Sequence, residues 1–188
     1  NLVGTDRTGN APLVDDTAIA AYDAPRTIIG GPTPADGNVA VGDGIGIDVS
    51  GTIGTDNATE IRFNNVGVGK DGFTAMPQSY AWAVGVGTAD HAVVADNVIT
   101  HGESGLVVAG SNDVTVVRNR VGTDRNGGVQ PNTLQGIYVQ QFGAQSRPTG
   151  TVVGGSVADG NIVRNNPWEG IILENVDQTT VSGNVVQD

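Results

Sequence analysis

Residues 104–119 decide the fold, and they read SGLVVAGSNDVTVVRN. A glycine and a β-branched run are followed by a polar turn, a second β-branched run from Val114, and then Asn119. Runs of this kind favour short strands, and Asn and Asp favour the turns between them. The stretch therefore predicts two short strands joined by a tight turn, with a third strand after Asn119.

The same phrase recurs along the chain. A second copy spans residues 169–184, a looser copy spans residues 82–97, and residues 44–48 and 136–140 open two more. The asparagines that close the second run lie at Asn38, Asn65, Asn97, Asn119, Asn161 and Asn184, with a shortest spacing of 22 residues. A short period with longer intervals indicates one repeating unit that carries insertions.

The insertions recur as well. Residues 3–9 read VGTDRTG and residues 121–127 read VGTDRNG, and each starts two residues after an asparagine. A shorter relative, VGKDG, spans residues 68–72. We expect these inserted loops at equivalent corners of different repeats.

Three short strands per repeat, without the period of a helix, predict an all-β solenoid. The expected fold is a single-stranded right-handed parallel β-helix of about six coils, with alternate strand residues stacked inward in columns. We expect one domain over residues 1–188, cut from a longer chain.

The recurrent asparagines are predicted to be structural. Asn tolerates the left-handed backbone conformation that a sharp turn between strands needs. Asparagines stacked at about 4.8 Å would hydrogen-bond along the column. This structural role is assigned to Asn97, Asn119, Asn161 and Asn184.

Composition excludes several classes of function. The 188 residues include 20 acidic and 9 basic side chains, which gives a formal net charge of −11 at pH 7. This charge repels phosphate backbones and anionic lipids, so neither nucleic acid nor a membrane is expected as a partner. Because the chain has no cysteine, it has no disulfide, thiolate metal site or thiol nucleophile.

The repeated phrases resemble right-handed parallel β-helix repeat proteins of bacterial surfaces. The resemblance rests on the Asn-x-Val-Gly-Thr-Asp, Ile-Gly-Gly and Gly-Ile-x-Val phrases and covers nearly the whole chain. The wider pectate-lyase-like superfamily includes pectate and alginate lyases, mannuronan epimerases, polygalacturonases, phage tailspikes and non-catalytic stalks. The resemblance implies an extracellular or cell-surface location and polysaccharide partners, acidic ones in particular.

The catalytic signatures of those enzymes are missing from the sequence. The Gly-His-Gly of polygalacturonases is reduced to His101-Gly102, their Asp-Asp pair has only Asp15-Asp16 as a counterpart, and their Arg-Ile-Lys is absent. No segment matches the Tyr-Gly-Phe-Asp-Pro-His of mannuronan epimerases or the arginine and aspartates of pectate lyases.

One corner of the predicted solenoid could nevertheless support lyase chemistry. A lyase needs a base that removes the proton next to the carboxylate of the substrate. It also needs a cation that neutralises this carboxylate. His101 is the candidate base, Lys70 or Arg125 the neutralising cation, and Tyr138 on the next strand the acid. The alternative is a solvated corner held by salt bridges.

Carbohydrate binding has its own candidates. Trp82, Tyr138, Gln140 and Trp168 are the side chains expected to contact a sugar chain. For each aromatic residue, the alternative is packing in the core or in a turn.

No cofactor is expected, and calcium is the candidate metal. Asp6 and Asp124 lie in matching loops, and carboxylates are ligands that calcium prefers. Two histidines ten residues apart match no zinc spacing. Residues 57–59, Asn-Ala-Thr, fit a glycosylation acceptor.

We therefore expect a non-catalytic surface or stalk module that binds polysaccharide or neighbouring protein subunits. A polysaccharide lyase or epimerase that acts on acidic glycans is the first alternative. The second is a structural protein that assembles end to end through the open strand edges of its terminal coils.

Overall fold

The computed structural model describes residues 1–13, 16–54, 58–77 and 80–187. Asp15 and Asn57, named above for the Asp-Asp pair and the glycosylation triplet, lie outside the described residues. The described residues are almost entirely β structure, with one turn of 3-10 helix at Pro34–Asp36. No described helix has the length and apolar character needed to span a bilayer.

The strands are short and follow one another at regular intervals. In chain order they are β1 (Leu2–Val3), β2 (Thr17–Tyr22), β3 (Ile28–Gly30), β4 (Val39–Ala40), β5 (Ile45–Ser50), β6 (Glu60–Arg62), β7 (Asn65–Val66), β8 (Tyr80–Gly87), β9 (Val93–Ala95), β10 (Val98–Ile99), β11 (Gly102–Ala109), β12 (Thr115–Val117), β13 (Arg120–Val121), β14 (Ile137–Gln140), β15 (Val152–Gly154), β16 (Ile162–Arg164), β17 (Ile171–Glu174), β18 (Thr180–Ser182) and β19 (Val185–Gln187).

Every third strand belongs to the same sheet, and all pairings between these strands are parallel. Sheet I has the order β2-β5-β8-β11-β14-β17, sheet II the order β3-β6-β9-β12-β15-β18, and sheet III the order β1-β4-β7-β10-β13-β16-β19. The chain thus visits sheets I, II and III in each coil, from coil 1 (β2–β4) to coil 6 (β17–β19). This architecture confirms the predicted parallel β-helix of six coils.

The core consists of inward columns of apolar side chains, two from sheet I and one each from sheets II and III. The buried members are Ile47, Val84, Leu106 and Ile137 and, two residues further on, Val49, Val86, Val108 and Val139 of sheet I, Ile61, Val94, Val116 and Val153 of sheet II, and Val66, Ile99, Val121 and Val163 of sheet III. Because strand side chains alternate between faces, each coil adds a β-branched or leucine side chain at the same place. Each burial contributes roughly 1.5–3 kcal/mol relative to exposure.

A ladder of asparagines runs along the corner between sheets II and III. Its members are Asn1, Asn38, Asn64, Asn97, Asn119, Asn161 and Asn184. In each step, the backbone N–H and the side-chain amide of one asparagine donate to Oδ1 of the next; for Asn97 and Asn119 these distances are 3.1 and 3.0 Å. The ladder therefore satisfies buried polar groups at every coil.

Two details of this corner differ from the sequence prediction. The ladder member of coil 2 is Asn64, whereas Asn65 is the first residue of β7 and donates its side-chain amide to the carbonyl of Gly69. In coils 2, 3 and 4 the left-handed residue is the one before the ladder asparagine, namely Phe63, Asp96 and Arg118, with φ between 54° and 62°. The asparagines contribute hydrogen bonds to this turn rather than the unusual backbone conformation.

The inserted loops follow β1, β7 and β13, that is, sheet III strands of alternate coils. The loops at residues 4–13, 67–76 and 122–130 stack on one another and are called the loop stack below. The Lys70 N–H donates to the carbonyl of Gly9 at 2.8 Å, and the Arg125 N–H donates to the carbonyl of Gly72 at 3.1 Å. Matching sequence phrases therefore occupy matching corners. The phrase from Val68 is shifted by two residues, because Gly67, and not Gly69, has the positive φ that Gly4 and Gly122 share.

Candidate functional site

A trough with a volume of about 300 Å³ lies on the outer face of sheet I, across coils 2 to 4. Its floor consists of the small or medium residues Gly87, Val107 and Ala109, from β8 and β11. Larger side chains flank this floor, so the short side chains leave a cavity between them.

Two aromatic side chains form walls of the trough. A Cβ atom placed on Gly85 would lie 3.1 Å from Cε3 of Trp82, so the indole covers the glycine next to it on the outer face. Phe142 approaches from the loop after β14 and is half exposed. The trough thus offers aromatic surfaces to a ligand that enters from solvent.

Polar groups of the trough come from Asp48, Ser50 and Thr88. Burial raises the pKa of the Asp48 carboxyl, and a hydrogen bond with Tyr22 works in the opposite direction. That hydrogen bond is the main cause of a raised pKa of Tyr22. The trough therefore holds one carboxyl group and two hydroxyls beside its aromatic walls.

Tyr138 and Gln140 lie on the same outer face, one coil further along. Tyr138 pairs in register with Val107, and Gln140 pairs with Ala109. The Tyr138 hydroxyl donates to the Glu174 carboxylate. Burial, together with this hydrogen bond, raises the pKa of Tyr138 to about 12, so the phenol keeps its proton at neutral pH.

Trp168 does not line the trough. It lies in the turn between β16 and β17, and 61% of its surface is exposed. Its backbone N–H donates to the carbonyl of Leu134 at 3.2 Å. Of the predicted carbohydrate-binding residues, the structure thus brings Trp82, Tyr138 and Gln140 onto one face and leaves Trp168 in the turn before coil 6.

The predicted catalytic residues belong to different elements. His101 occupies the turn between β10 and β11, and Nε2 of its ring lies 2.8 Å from Oε1 of Gln130. Because Nε2 of Gln130 donates to the carbonyl of Phe73, Oε1 must face the imidazole. An amide oxygen only accepts, so Nε2 of His101 carries a proton and Nδ1 of the neutral ring is the acceptor.

Burial lowers the pKa of His101, and the hydrogen bond with Gln130 opposes this shift. Lys70 and Arg125 lie in the loop stack beside sheet III, where Nη2 of Arg125 donates to Oδ1 of Asn65 at 2.7 Å. Tyr138 belongs to sheet I. Lys70 and Arg125 thus share the loop stack, and His101 contacts the edge of the same stack through Gln130. Tyr138 lies on another face of the solenoid.

Asp6 and Asp124, the calcium candidates, close their own loops. Oδ1 of Asp6 accepts hydrogen bonds from the hydroxyl and backbone N–H of Thr8, at 2.7 and 3.1 Å, and the Thr8 side chain is the main cause of a lowered pKa of Asp6. Oδ1 of Asp124 accepts the N–H groups of Asn126 and Gly128 at 2.8 and 2.7 Å. Across the described ranges, no three His, Asp or Glu side chains form a group that could hold a metal ion.

Two residues of these outer faces, Phe142 and Arg120, were not predicted from the sequence. Phe142 comes from a loop without a counterpart in the other repeats, so periodicity carries no signal for it. Arg120 follows a ladder asparagine directly, and the outward register of β13 could have placed it on the face of sheet III beside Arg125.

Comparison of the chain with protein-family models, with curated proteins and with solved structures gives no match. The functional proposal therefore rests on the fold and on the outer face of sheet I.

Proposed function

We propose that this β-helix is a non-catalytic module that binds a polysaccharide along the outer face of sheet I. The observation that carries the proposal is the trough between Trp82 and Phe142, with its low floor and its few polar groups. Apolar and aromatic surfaces with a small number of placed polar groups are typical of ligand sites. Aromatic rings beside hydroxyl and carboxyl groups suit sugars, which have apolar ring faces and hydroxyl edges.

The charge of this face favours a neutral polysaccharide. Asp48 lies in the trough, and Glu174 and Glu169 both act electrostatically on the neighbouring Tyr138. A negative face disfavours a carboxylated chain and accepts hydrogen bonds from the hydroxyls of an uncharged one. We expect the chain to lie across the parallel strands of sheet I, over Trp82 and towards Tyr138.

Asp48 and Glu174 are too far apart to act together as the carboxylate pair of a glycosidase. Asp48 is the one carboxylate among the described residues that line the trough. Glu174 lies four coils away on the same sheet, which corresponds to roughly 19 Å at the usual strand spacing. Paired carboxylates in glycosidases lie about 5–9.5 Å apart.

The resemblance to β-helix repeat proteins of bacterial surfaces supports the same assignment. A module of that kind would act outside the cell or on its surface and present sheet I to the glycan. Membership in the pectate-lyase-like superfamily is part of this proposal.

The test compares two tryptophans. A panel of neutral and acidic glycans is screened, and the tightest neutral oligosaccharide is titrated against the protein, Trp82→Ala and Trp168→Ala. Loss of a wall of the trough is expected to weaken binding about tenfold or more in Trp82→Ala, whereas Trp168→Ala keeps the affinity of the wild-type protein. Equal affinity of the wild-type protein and Trp82→Ala would contradict the proposal.

The enzymatic alternative has its own readout. Alginate and polygalacturonate are incubated with the protein, with and without calcium, and the ultraviolet absorbance of unsaturated products is followed. We expect no increase; an increase that disappears in His101→Ala would establish a lyase instead.

A further inference from the structure

The outer surface beside sheet III holds a large share of the few cationic side chains of the protein. Of 9 lysines and arginines in a protein with a net charge of −11, four line two adjoining cavities: Lys70, Arg118, Arg120 and Arg125. The cavities have volumes of about 210 and 180 Å³ and share Pro34, Phe63 and Arg125. We call this surface the cationic groove.

One cation of the groove is already neutralised. Nε and Nη2 of Arg118 contact the two carboxylate oxygens of Asp96 at 2.8 and 3.0 Å, and Nη1 contacts Asp159 at 3.1 Å. Within the part of the chain that the structure describes, Lys70, Arg120 and Arg125 have no carboxylate within ion-pair distance. Three positive charges of the groove are therefore free to meet an anion.

Two of these cations are held in place by the fold. Asn65, Val98 and Arg120 are in register on successive strands of sheet III. The hydrogen bond from Arg125 to Asn65 thus holds its guanidinium two strands, or roughly 10 Å, from the backbone of Arg120. The remaining guanidinium N–H groups of Arg125 are available to donate hydrogen bonds to a ligand.

The groove also has an apolar wall. Phe63 lines both cavities. Its φ of 57° is unusual for a bulky residue. Pro34, at the start of the 3-10 helix, lies in the same two cavities. A ligand for this groove would thus combine an anionic group with an apolar ring face.

We propose that the cationic groove binds carboxylate groups of an acidic saccharide, with Arg120 and Arg125 as the anion-binding residues and Phe63 as the wall for the sugar ring. The planar guanidinium group matches a carboxylate in a two-point contact. The negative charge of the rest of the protein limits the ligand to a short acidic segment, since a long polyanion would meet repulsion beyond the groove. This site lies on a different sheet from the trough and does not rest on the proposed function.

The test is calorimetric titration with trigalacturonate at low salt, with galactotriose and inorganic phosphate as comparison ligands. The double variant Arg120→Gln/Arg125→Gln is expected to bind trigalacturonate about tenfold or more weakly, because two charge-assisted hydrogen-bonding groups are lost. The control Arg26→Gln/Arg147→Gln removes the same charge from the corner between sheets I and II and should keep the affinity. Trp82→Ala should also bind trigalacturonate like the wild-type protein, which separates this site from the trough.

A second measurement does not depend on the folding of a variant. Binding of trigalacturonate to the wild-type protein should weaken as salt is raised, because the contact is between exposed charges. Absence of binding, salt-independent binding, or equal binding by the Arg120→Gln/Arg125→Gln variant would overturn the proposal. Phosphate that binds as tightly as trigalacturonate would overturn the assignment to a sugar.

Discussion

The side-chain amide of Asn119 shows how a single residue holds three coils together. Its Oδ1 accepts the backbone N–H and the side-chain amide of Asn97 at 3.1 and 3.0 Å. Its Nδ2 donates to the carbonyl of Val94 at 2.8 Å and to Oδ1 of Asn161 at 3.0 Å. Asn119 is fully buried, so removal of its amide would leave polar partners without water.

We predict that Asn119→Ala lowers the free energy of unfolding by about 3–5 kcal/mol, because buried donors and acceptors lose their partners. Urea denaturation measures this change. The control Asn126→Ala, at an exposed loop position, should change stability by less than about 0.5 kcal/mol. A loss below about 1 kcal/mol in Asn119→Ala would contradict the role of the ladder.

His101 provides a pH-dependent prediction. Burial lowers its pKa in the folded protein, whereas in the unfolded chain the value is about 6.5. The unfolded state therefore binds the proton more readily, and the stabilising contribution of neutral His101 is present above about pH 6.5 and is lost as pH falls through the folded value. We expect the urea midpoint to fall less in His101→Gln than in the wild-type protein when the pH is lowered from about 7.5 to about 5, a range around the reference pKa of about 6.5. An equal or steeper fall in the variant would contradict this assignment.

At the level of structural elements, glycine explains why the inserted loops begin alike. Gly4, Gly67 and Gly122 each follow a sheet III strand with φ between 66° and 78°. A Cβ atom at these positions would lie 1.7, 2.2 and 2.0 Å from carbonyl oxygens of the neighbouring coil, those of Val41, Thr100 and Arg164. The Val-Gly phrase of the sequence thus marks a corner where two backbones are in direct contact.

Gly122→Ala and Gly127→Ala form a matched pair that separates contact from backbone conformation. Both glycines have positive φ, 78° and 89°, but a Cβ on Gly127 would meet nothing within 4 Å. We expect Gly127→Ala to lower stability by about 1–2 kcal/mol from the left-handed backbone alone. Gly122→Ala should lower it by at least 2 kcal/mol more, roughly the effect of overpacking; similar urea midpoints for the two variants would contradict the close contact.

Much of the fold follows from local sequence, whereas the surfaces do not. Alternation in stretches such as Leu106–Val108 predicts both the strands and the inward columns. The neighbouring Asn64 and Asn65 fit the ladder equally well by sequence, and only the register of β7 separates them. The wall at Phe142 and the groove beside Arg125 depend on loops of irregular length, whose positions no repeat period specifies.

At the scale of the whole molecule, the aromatic and acidic side chains of the trough face and the cations of the groove lie on different faces of the solenoid. The outer face of sheet I carries Trp82, Tyr138 and the carboxyl groups of Asp48 and Glu174, while the cationic groove lies beside sheet III. A net charge of −11 says nothing about this separation. Winding the chain into three sheets creates it, because every third strand returns to the same face.

The most direct test of the account is chemical-shift mapping of the protein with the tightest neutral oligosaccharide from the glycan panel. We predict that the shifted resonances cluster at the indole of Trp82 and at Val107, Ala109 and Phe142, while Arg120 and Arg125 stay unchanged. Shifts confined to sheet II or sheet III, or no shifts at saturating oligosaccharide, would contradict the claim that sheet I presents the glycan-binding face.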